Sequence, residues 1–278
     1  MPDESTRKSV LVVGSVSSIR SLLPEEAVEV ESARDAGDAL SRVMARSYDL
    51  VVTDIETPGA QDVELLRQIR EVRPAARVIL LSSESTPEAV VESMREHAFS
   101  YFTKPVDRGT FRELVAKALE LSAWDDGIQV LSARPNWITL ELRCRQYTAD
   151  RLLQFFGELK SDLPVAEREN IAIAFREMLL NAIEHGGKFD PEKKVQVSYL
   201  RTDRVILYYI RDPGQGFSFE SLPHAALSNP PEAPAQHLLY RAEHGLRAGG
   251  FGMLLAQKLV DVLIHNEKGN EVLLIKYL

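Results

Sequence analysis

Tyr48-Asp49-Leu50-Val51-Val52-Thr53-Asp54-Ile55-Glu56-Thr57-Pro58-Gly59 decides the reading of the first half of the chain: an apolar, β-branched run stops at an acid and is followed by a Pro-Gly break. Runs of the same kind stand at residues 10–13 and 78–81, separated by stretches with helical spacing such as 62–72. This alternation predicts an α/β unit, a parallel sheet with helices on both faces. Such a sheet gathers its chemistry at the carboxyl ends of its strands. The residues just past each run are Gly14 and Ser15, Asp54, Ser82 and Ser83, and Lys104. A helix over 107–121 closes the unit.

The chain of 278 residues is long enough for two domains, since single cores usually split beyond roughly 150–250 residues. The expected division is a first domain over 1–122, a linker over 123–133 and a second domain over 134–278. A content of 45% hydrophobic and 27% charged residues excludes wholesale disorder and a fibrous repeat. Thirty-three basic against 41 acidic residues give a net charge of -8 with no local basic cluster, which argues against direct binding of nucleic acid. Cys144 is the one cysteine and closes no internal disulfide. With neither a signal pattern nor an apolar run long enough for a bilayer, the expectation is a cytoplasmic protein with no membrane partner.

The second half has a different order. It predicts a strand at 137–142, helices at 149–160 and 166–185, and strands at 195–200 and 205–210. A Gly- and Pro-rich span over 214–250 follows, then a helix at 252–262 and strands at 262–266 and 271–277. Adjacent strands with short turns argue for an α+β two-layer sandwich with an antiparallel or mixed sheet. On the long helix Glu177, Asn181 and His185 are four apart and share a face, while Ile173, Phe175, Met178, Leu179 and Ile183 are left for packing. That polar row either faces water or lines a polar ligand site. Past the strand at 205–210 comes Asp212-Pro213-Gly214-Gln215-Gly216. Later Gly249-Gly250-Phe251-Gly252 opens a helix, where bare backbone N–H groups and the helix dipole favour a phosphate.

With the run at 10–13, the stretch at 48–59, the strand ending in Ser82 and Tyr101-Phe102-Thr103-Lys104-Pro105 in that order, residues 9–121 resemble a response-regulator receiver domain. The resemblance implies a doubly wound, flavodoxin-like sheet of five parallel strands. Asp54 then matches the phosphoacceptor, Ser82 the hydroxyl that senses the phosphoryl group, Lys104 its counter-charge and Tyr101 the aromatic switch. The departure lies after the first strand, where receivers carry two acids that hold Mg²⁺ with the phosphoacceptor. Here those positions are Gly14 and Ser15, so Mg²⁺ is expected to bind poorly unless Glu56 supplies an oxygen. The receiver is expected to be phosphorylated inefficiently and to serve as a docking or dimerising module.

The Glu-x-x-x-Asn helix, the Asp-x-Gly-x-Gly turn and the Gly-x-Gly helix start occur in the order of the GHKL ATPases. Residues 134–278 look most like the anti-sigma-factor serine kinases of bacterial partner-switching systems. The resemblance implies ATP and Mg²⁺ as cofactors, Asn181 as the Mg²⁺ ligand, and Asp212 as acceptor for the adenine amino group. It has Gly214 and Gly216 shape the base pocket, Gly250 and Gly252 contact phosphates, and Glu177 act as the base for an attacking serine hydroxyl. Residues 217–249, with Arg247 and His244, correspond to the ATP lid. The partners implied are a STAS-type anti-sigma-factor antagonist, a sigma factor, an upstream histidine kinase and a second copy of the chain. The leading expectation is an ATP-dependent serine/threonine protein kinase controlled by an atypical receiver. The alternative is an ATP-binding anti-sigma or partner-sequestering protein without efficient transfer. No histidine stands in a dimerising hairpin and no basic helix-turn-helix is present, which sets aside a histidine-kinase unit and a DNA-binding regulator.

Overall fold

Asp54 ends a strand at the centre of a five-stranded parallel sheet. The computed structural model describes residues 7–15, 19–23, 28–54, 60–121, 124–160, 162–216, 243 and 251–278. Strands β1 (Lys8–Gly14), β2 (Val28–Ala33), β3 (Leu50–Asp54), β4 (Val78–Ser82) and β5 (Ser100–Thr103) lie in the order β2-β1-β3-β4-β5, every pairing parallel. This is the flavodoxin-like order. Helices α1 (Ala36–Ala45), α2 (Ala60–Val72), α3 (Pro87–Arg95) and α4 (Arg108–Glu120) connect and follow these strands. Every residue of β3 and β4 is buried, as cover on both faces requires. Asp35, Thr86 and Asp107 start α1, α3 and α4 by accepting from the backbone N–H three residues on. At the other end of α4, the buried Arg77 donates to the carbonyls of Ala118 and Leu121, groups that a helix terminus leaves unsatisfied. Strand order reverses between β1 and β3, and there the register sets Gly14 opposite Asp54.

The remaining strands form a six-stranded antiparallel sheet. They are β6 (Ile128–Arg134), β7 (Trp137–Arg143), β8 (Lys194–Arg201), β9 (Val205–Arg211), β10 (Val262–His265) and β11 (Glu271–Tyr277), in the order β10-β11-β9-β8-β7-β6. Burial alternates along β7, β8 and β9, so one face is packed and the other is wetter. Helices α5 (Gln146–Glu158), α6 (Val165–Asn181) and α7 (Gly252–Leu259) complete the α+β arrangement. Phe175 of α6 stacks on Tyr208 of β9 with ring centroids 4.3 Å apart. Ile173, expected among the packed residues, is 40% exposed instead.

Two local readings change. Residues 128–134, most of them in the expected linker, form β6 and pair with β7 across a register shift between Val130 and Ser132. The long helix does not continue to residue 185. It widens into a π-turn at Ala182–Gly186, marked by the Gly187 N–H donating to the Ala182 carbonyl at 2.9 Å. An i→i+5 turn carries more residues than an α-turn, so the last turn before Gly187 is wider than the helix that precedes it.

The chain divides into two units, Met1–Asp126 with Asp150–Leu159, and Gly127–Ala149 with Lys160–Leu278. Among the described residues no helix is long and apolar enough to cross a membrane.

Within the second unit Lys160 is 1% exposed and donates to the Tyr208 hydroxyl at 2.7 Å. Burial, with Arg168 and Arg201 adding repulsion, pulls its ammonium down to about 7. The unfolded chain therefore binds more protons than the native one between pH 7 and about 10.5, and the penalty for the buried charge shrinks as pH rises through that window. Lys160→Met should remove this dependence. Measured by thermal melting, wild-type stability should rise relative to the variant between pH 7 and pH 10, by up to about 1.4 kcal/mol per pH unit.

Candidate functional site

In the second unit, Glu177 and Asp212 each meet a backbone that carries no side chain. Glu177 projects from α6 against Gly252, the first residue of α7, so closely that a methyl group on Gly252 would collide with Glu177 Oε2. Its carboxylate thus lies beside the positive end of the α7 dipole. Arg176 approaches its other oxygen at 3.6 Å. Asn181 ends α6 one turn further on and is partly buried.

Asp212 stands just past β9, held by three chain segments. The Gly214 N–H donates to its Oδ1 at 2.7 Å, closing a local turn, and the backbone of Gly186 at the end of the π-turn lies against its carboxylate. A side chain at Gly186 would occupy the space of Asp212. From the turn between β10 and β11, the Asn270 carbonyl accepts from the Asp212 N–H at 3.0 Å, and Lys268 Nζ reaches the Gly214 carbonyl at 3.4 Å. Asn270 is fixed in turn by Asn266, whose Oδ1 accepts from the Asn270 N–H at 3.0 Å. Gly216 has a φ of 80° and touches the Lys268 carbonyl so closely that no side chain fits there. Burial raises the pKa of the Asp212 carboxyl, while the Gly214 N–H, Lys268 and His185 pull it down.

The structure brings Glu177 to Gly252, and Asp212 to Gly214. Gly250, Arg247 and His244 lie outside the described residues. Gly186 and Lys268 belong to the same site without having been singled out in the sequence. Asn270 belongs to it too, and with Glu271 it stands where relatives of the resembled family often carry a threonine near the adenine. The pair Gly186-Gly187 was the available signal, because two adjacent glycines closing a helix mark close approach. Gly187 faces the buried Cys144 Sγ, whose thiol burial pushes up to about 11, an environment that disfavours the reactive thiolate.

In the first unit, Asp54 is 1% exposed and forms an ion pair with Lys104. The Lys104 N–H donates to the Ser82 carbonyl at 2.9 Å, and Ser82 Oγ donates to the Glu84 carbonyl at 2.5 Å. Tyr101 is fully buried, and burial pushes its phenol up against the pull of Ser82 and Ser85. Gly14 has a φ of 105°, a conformation that strains any residue with a side chain. Glu56 lies outside the described residues. A second carboxylate is nevertheless close. Asp62 of α2 is fully buried, neither of its oxygens has a hydrogen bond, and burial reinforced by the Asp54 charge pushes it up to about 7 against the pull of Thr53 and Lys104.

The donors fit Mg²⁺ unequally. At Asp54 a lysine already neutralises the one carboxylate on the strand and no acid follows β1, a poor fit for a divalent ion. At the second site, one amide from Asn181 suffices when phosphates and water complete the shell. Among the described residues no group of three or more His, Cys, Asp or Glu side chains could hold a metal ion.

Residues 14–116 match the family model of the response regulator receiver domain, and residues 142–276 match that of the histidine kinase-like ATPase domain. The chain is 30% identical over 120 residues to the response regulator protein PilR of Pseudomonas aeruginosa, covering 42% of this chain and 27% of that protein. It is 29% identical over 120 residues to sporulation initiation phosphotransferase F of Bacillus subtilis, covering 42% of this chain and 97% of that protein. The chain thus spans about a quarter of the length of the first curated relatives it matches. A CheY-like response regulator receiver domain protein from Methanospirillum hungatei aligns at 28% identity with a TM-score of 0.37, covering 41% of this chain and 94% of that chain.

The buried Asp62 generates a signed prediction. With a folded pKa near 7 against about 3.9 unfolded, it binds its proton more tightly in the native state, so its contribution to stability falls as pH rises from about 4 to 7. Asp62→Asn, which keeps the shape without the charge, should raise Tm above wild type at pH 8. The two proteins should converge at pH 4.

Proposed function

We propose that this chain, a signalling regulator joining a receiver domain to a histidine-kinase-like ATPase domain, is an ATP-dependent serine/threonine protein kinase of the anti-sigma-factor type. Its substrate would be a small STAS-type antagonist, with a sigma factor as the sequestered partner. The observation that carries the reading is the placement of two carboxylates along one helix: Glu177 against the glycine start of α7, and Asp212 against Gly186 at the end of the same helix. Gly186 lies nine positions beyond Glu177, roughly 13 Å at the α-helical rise. That suits an extended nucleoside triphosphate, with its base at one end and its phosphates at the other.

Each group has a role that its surroundings suit. Asp212, oriented through Gly214 and Asn270, presents a carboxylate oxygen to the amino group of adenine. The α7 N-terminus offers unsatisfied backbone N–H groups to the phosphates. Asn181 would hold Mg²⁺, which would supply charge neutralisation on the phosphates. Glu177 accepts the proton of the attacking serine hydroxyl as its oxygen bonds to the γ-phosphorus and ADP leaves with the electrons of the broken P–O bond. Positioning and charge neutralisation are most of what phosphoryl transfer asks of a protein.

The receiver modulates this activity as an atypical module, because a lysine-paired Asp54 with Gly14 and Ser15 beside it is a weak site for metal-dependent phosphorylation. Acetyl phosphate with Mg²⁺ should therefore label Asp54 weakly; strong labelling that Asp54→Ala abolishes would refute this part.

Mg-ATP at a hundredfold excess over its dissociation constant should stabilise the protein by about 2.7 kcal/mol, read as a rise in Tm, and Asp212→Ala should abolish the rise. Glu177→Ala should keep the rise and lose transfer of labelled phosphate to a STAS antagonist by two to four orders of magnitude, roughly the contribution of a general base. Binding without transfer in the wild type would favour the sequestering alternative.

A further inference from the structure

The turn that joins β10 to β11 brings a lysine to the candidate site of the second unit, on a backbone closed by its own asparagines. The Gly269 N–H donates to the Asn266 carbonyl at 3.0 Å, with Gly269 in the left-handed region at a φ of 78°. Asn266 Oδ1 accepts from the N–H groups of Asn270 at 3.0 Å and Glu271 at 3.1 Å, and its Nδ2 donates to Asn270 Oδ1 at 3.0 Å. Asn270 Nδ2 turns to the Asp212 carbonyl at 3.5 Å. Both ends of that amide face protein groups and Asn270 is 7% exposed, so it is poorly placed to read a base.

Lys268 lies in the same turn and is exposed. Its carbonyl packs on Gly216 so closely that a side chain there would collide, while its Nζ donates to the Gly214 carbonyl at 3.4 Å. An ammonium has three donors, so two are left after that bond. On its other side, Gly214 donates its N–H to Asp212 Oδ1 at 2.7 Å, which leaves Oδ2 for a ligand. One residue thus holds an acceptor by its N–H and a donor by its carbonyl. The two are near enough for the Lys268 charge to pull the Asp212 carboxyl down against burial.

The Watson–Crick edge of adenine presents the complementary pair, a donor amino group at C6 beside an acceptor at N1. Guanine in the same pose reverses it, with O6 against the carboxylate and N1–H against the ammonium. We propose, resting on the nucleotide reading above, that Lys268 is a specificity-determining residue that donates to adenine N1 while Asp212 accepts from the amino group. It supplies the ring contact from which Asn270 is turned away, and the asparagine-closed turn aims it. A site that pairs with both atoms rejects a base that leaves them unpaired.

Isothermal titration calorimetry on the full chain, with Mg-ATP, Mg-GTP and the 1-deaza analogue of ATP, which lacks the N1 acceptor, tests the assignment. Lys268→Met should bind ATP about tenfold more weakly than wild type, the scale of one charge-assisted hydrogen bond, and its preference for ATP over GTP should shrink by about the same factor. Because Lys268 is exposed, the variant without nucleotide should melt as wild type does. Wild type should bind 1-deaza-ATP about tenfold more weakly than ATP, and Lys268→Met should bind the two alike. An equal 1-deaza penalty in both proteins, as expected of a lysine that only attracts the triphosphate from a distance, would overturn the proposal. So would wild-type affinity for ATP in Lys268→Met. A wild-type chain that bound no ATP would overturn the nucleotide reading itself, and this assignment with it.

Discussion

The second unit is built around a carboxylate that needs a neighbour without a side chain. Asp212 can be partly buried at the end of β9 only because the backbone of Gly186 lies flat against it and the Gly214 N–H satisfies one of its oxygens. That packing ties the end of the long helix to the sheet. It also explains why the helix opens into a π-turn: an extra residue in the last turn places Gly186 at the acid and Gly187 over the buried Cys144. Nine positions earlier on the same helix, Gly252 relates to Glu177 in the same way. Two glycine–carboxylate contacts on one rigid rod set the spacing of everything that could bind between them.

The parallel sheet holds a single strand-borne carboxylate against a single lysine. Gly14 stands opposite Asp54 in the register and brings no charge, and Lys104 pairs with the buried carboxylate. Asp62 adds a carboxyl from the helix side, and burial favours its neutral form. Lys104 therefore faces both carboxyls, paired with Asp54 and pulling on Asp62.

Much of this was legible in residue pattern. Strict alternation made β7, β8, β9 and β11 readable, because one face of their sheet is buried and the other is not. The approach of Glu177 to Gly252 and of Asp212 to Gly214 followed from motif order. Strand β6 was missed because Asp125, Asp126 and Gly127 before it and Pro135 after it read as a loop, and its half-exposed edge position weakens the apolar alternation. The edge strand β2 is equally muted, with Glu29 and Glu31 alternating against valines. The burial of Arg151 had no sequence signal at all. Most of its partners are carbonyl groups of the main chain, which every residue has, so no pattern of acidic side chains announces them.

That arginine bears on how the polypeptide could be taken apart. Excising the ATPase portion at the boundary of its family match would carry Arg151 away from the Ala98, Phe99 and Asp126 carbonyls and leave a guanidinium and its aromatic shelf exposed to water. Cutting just after Asp126 would strand the complementary surface on the other fragment. The boundary of the family match and the boundary of the compact units do not coincide, so whichever piece is grafted elsewhere must bring or replace the ten residues Asp150–Leu159.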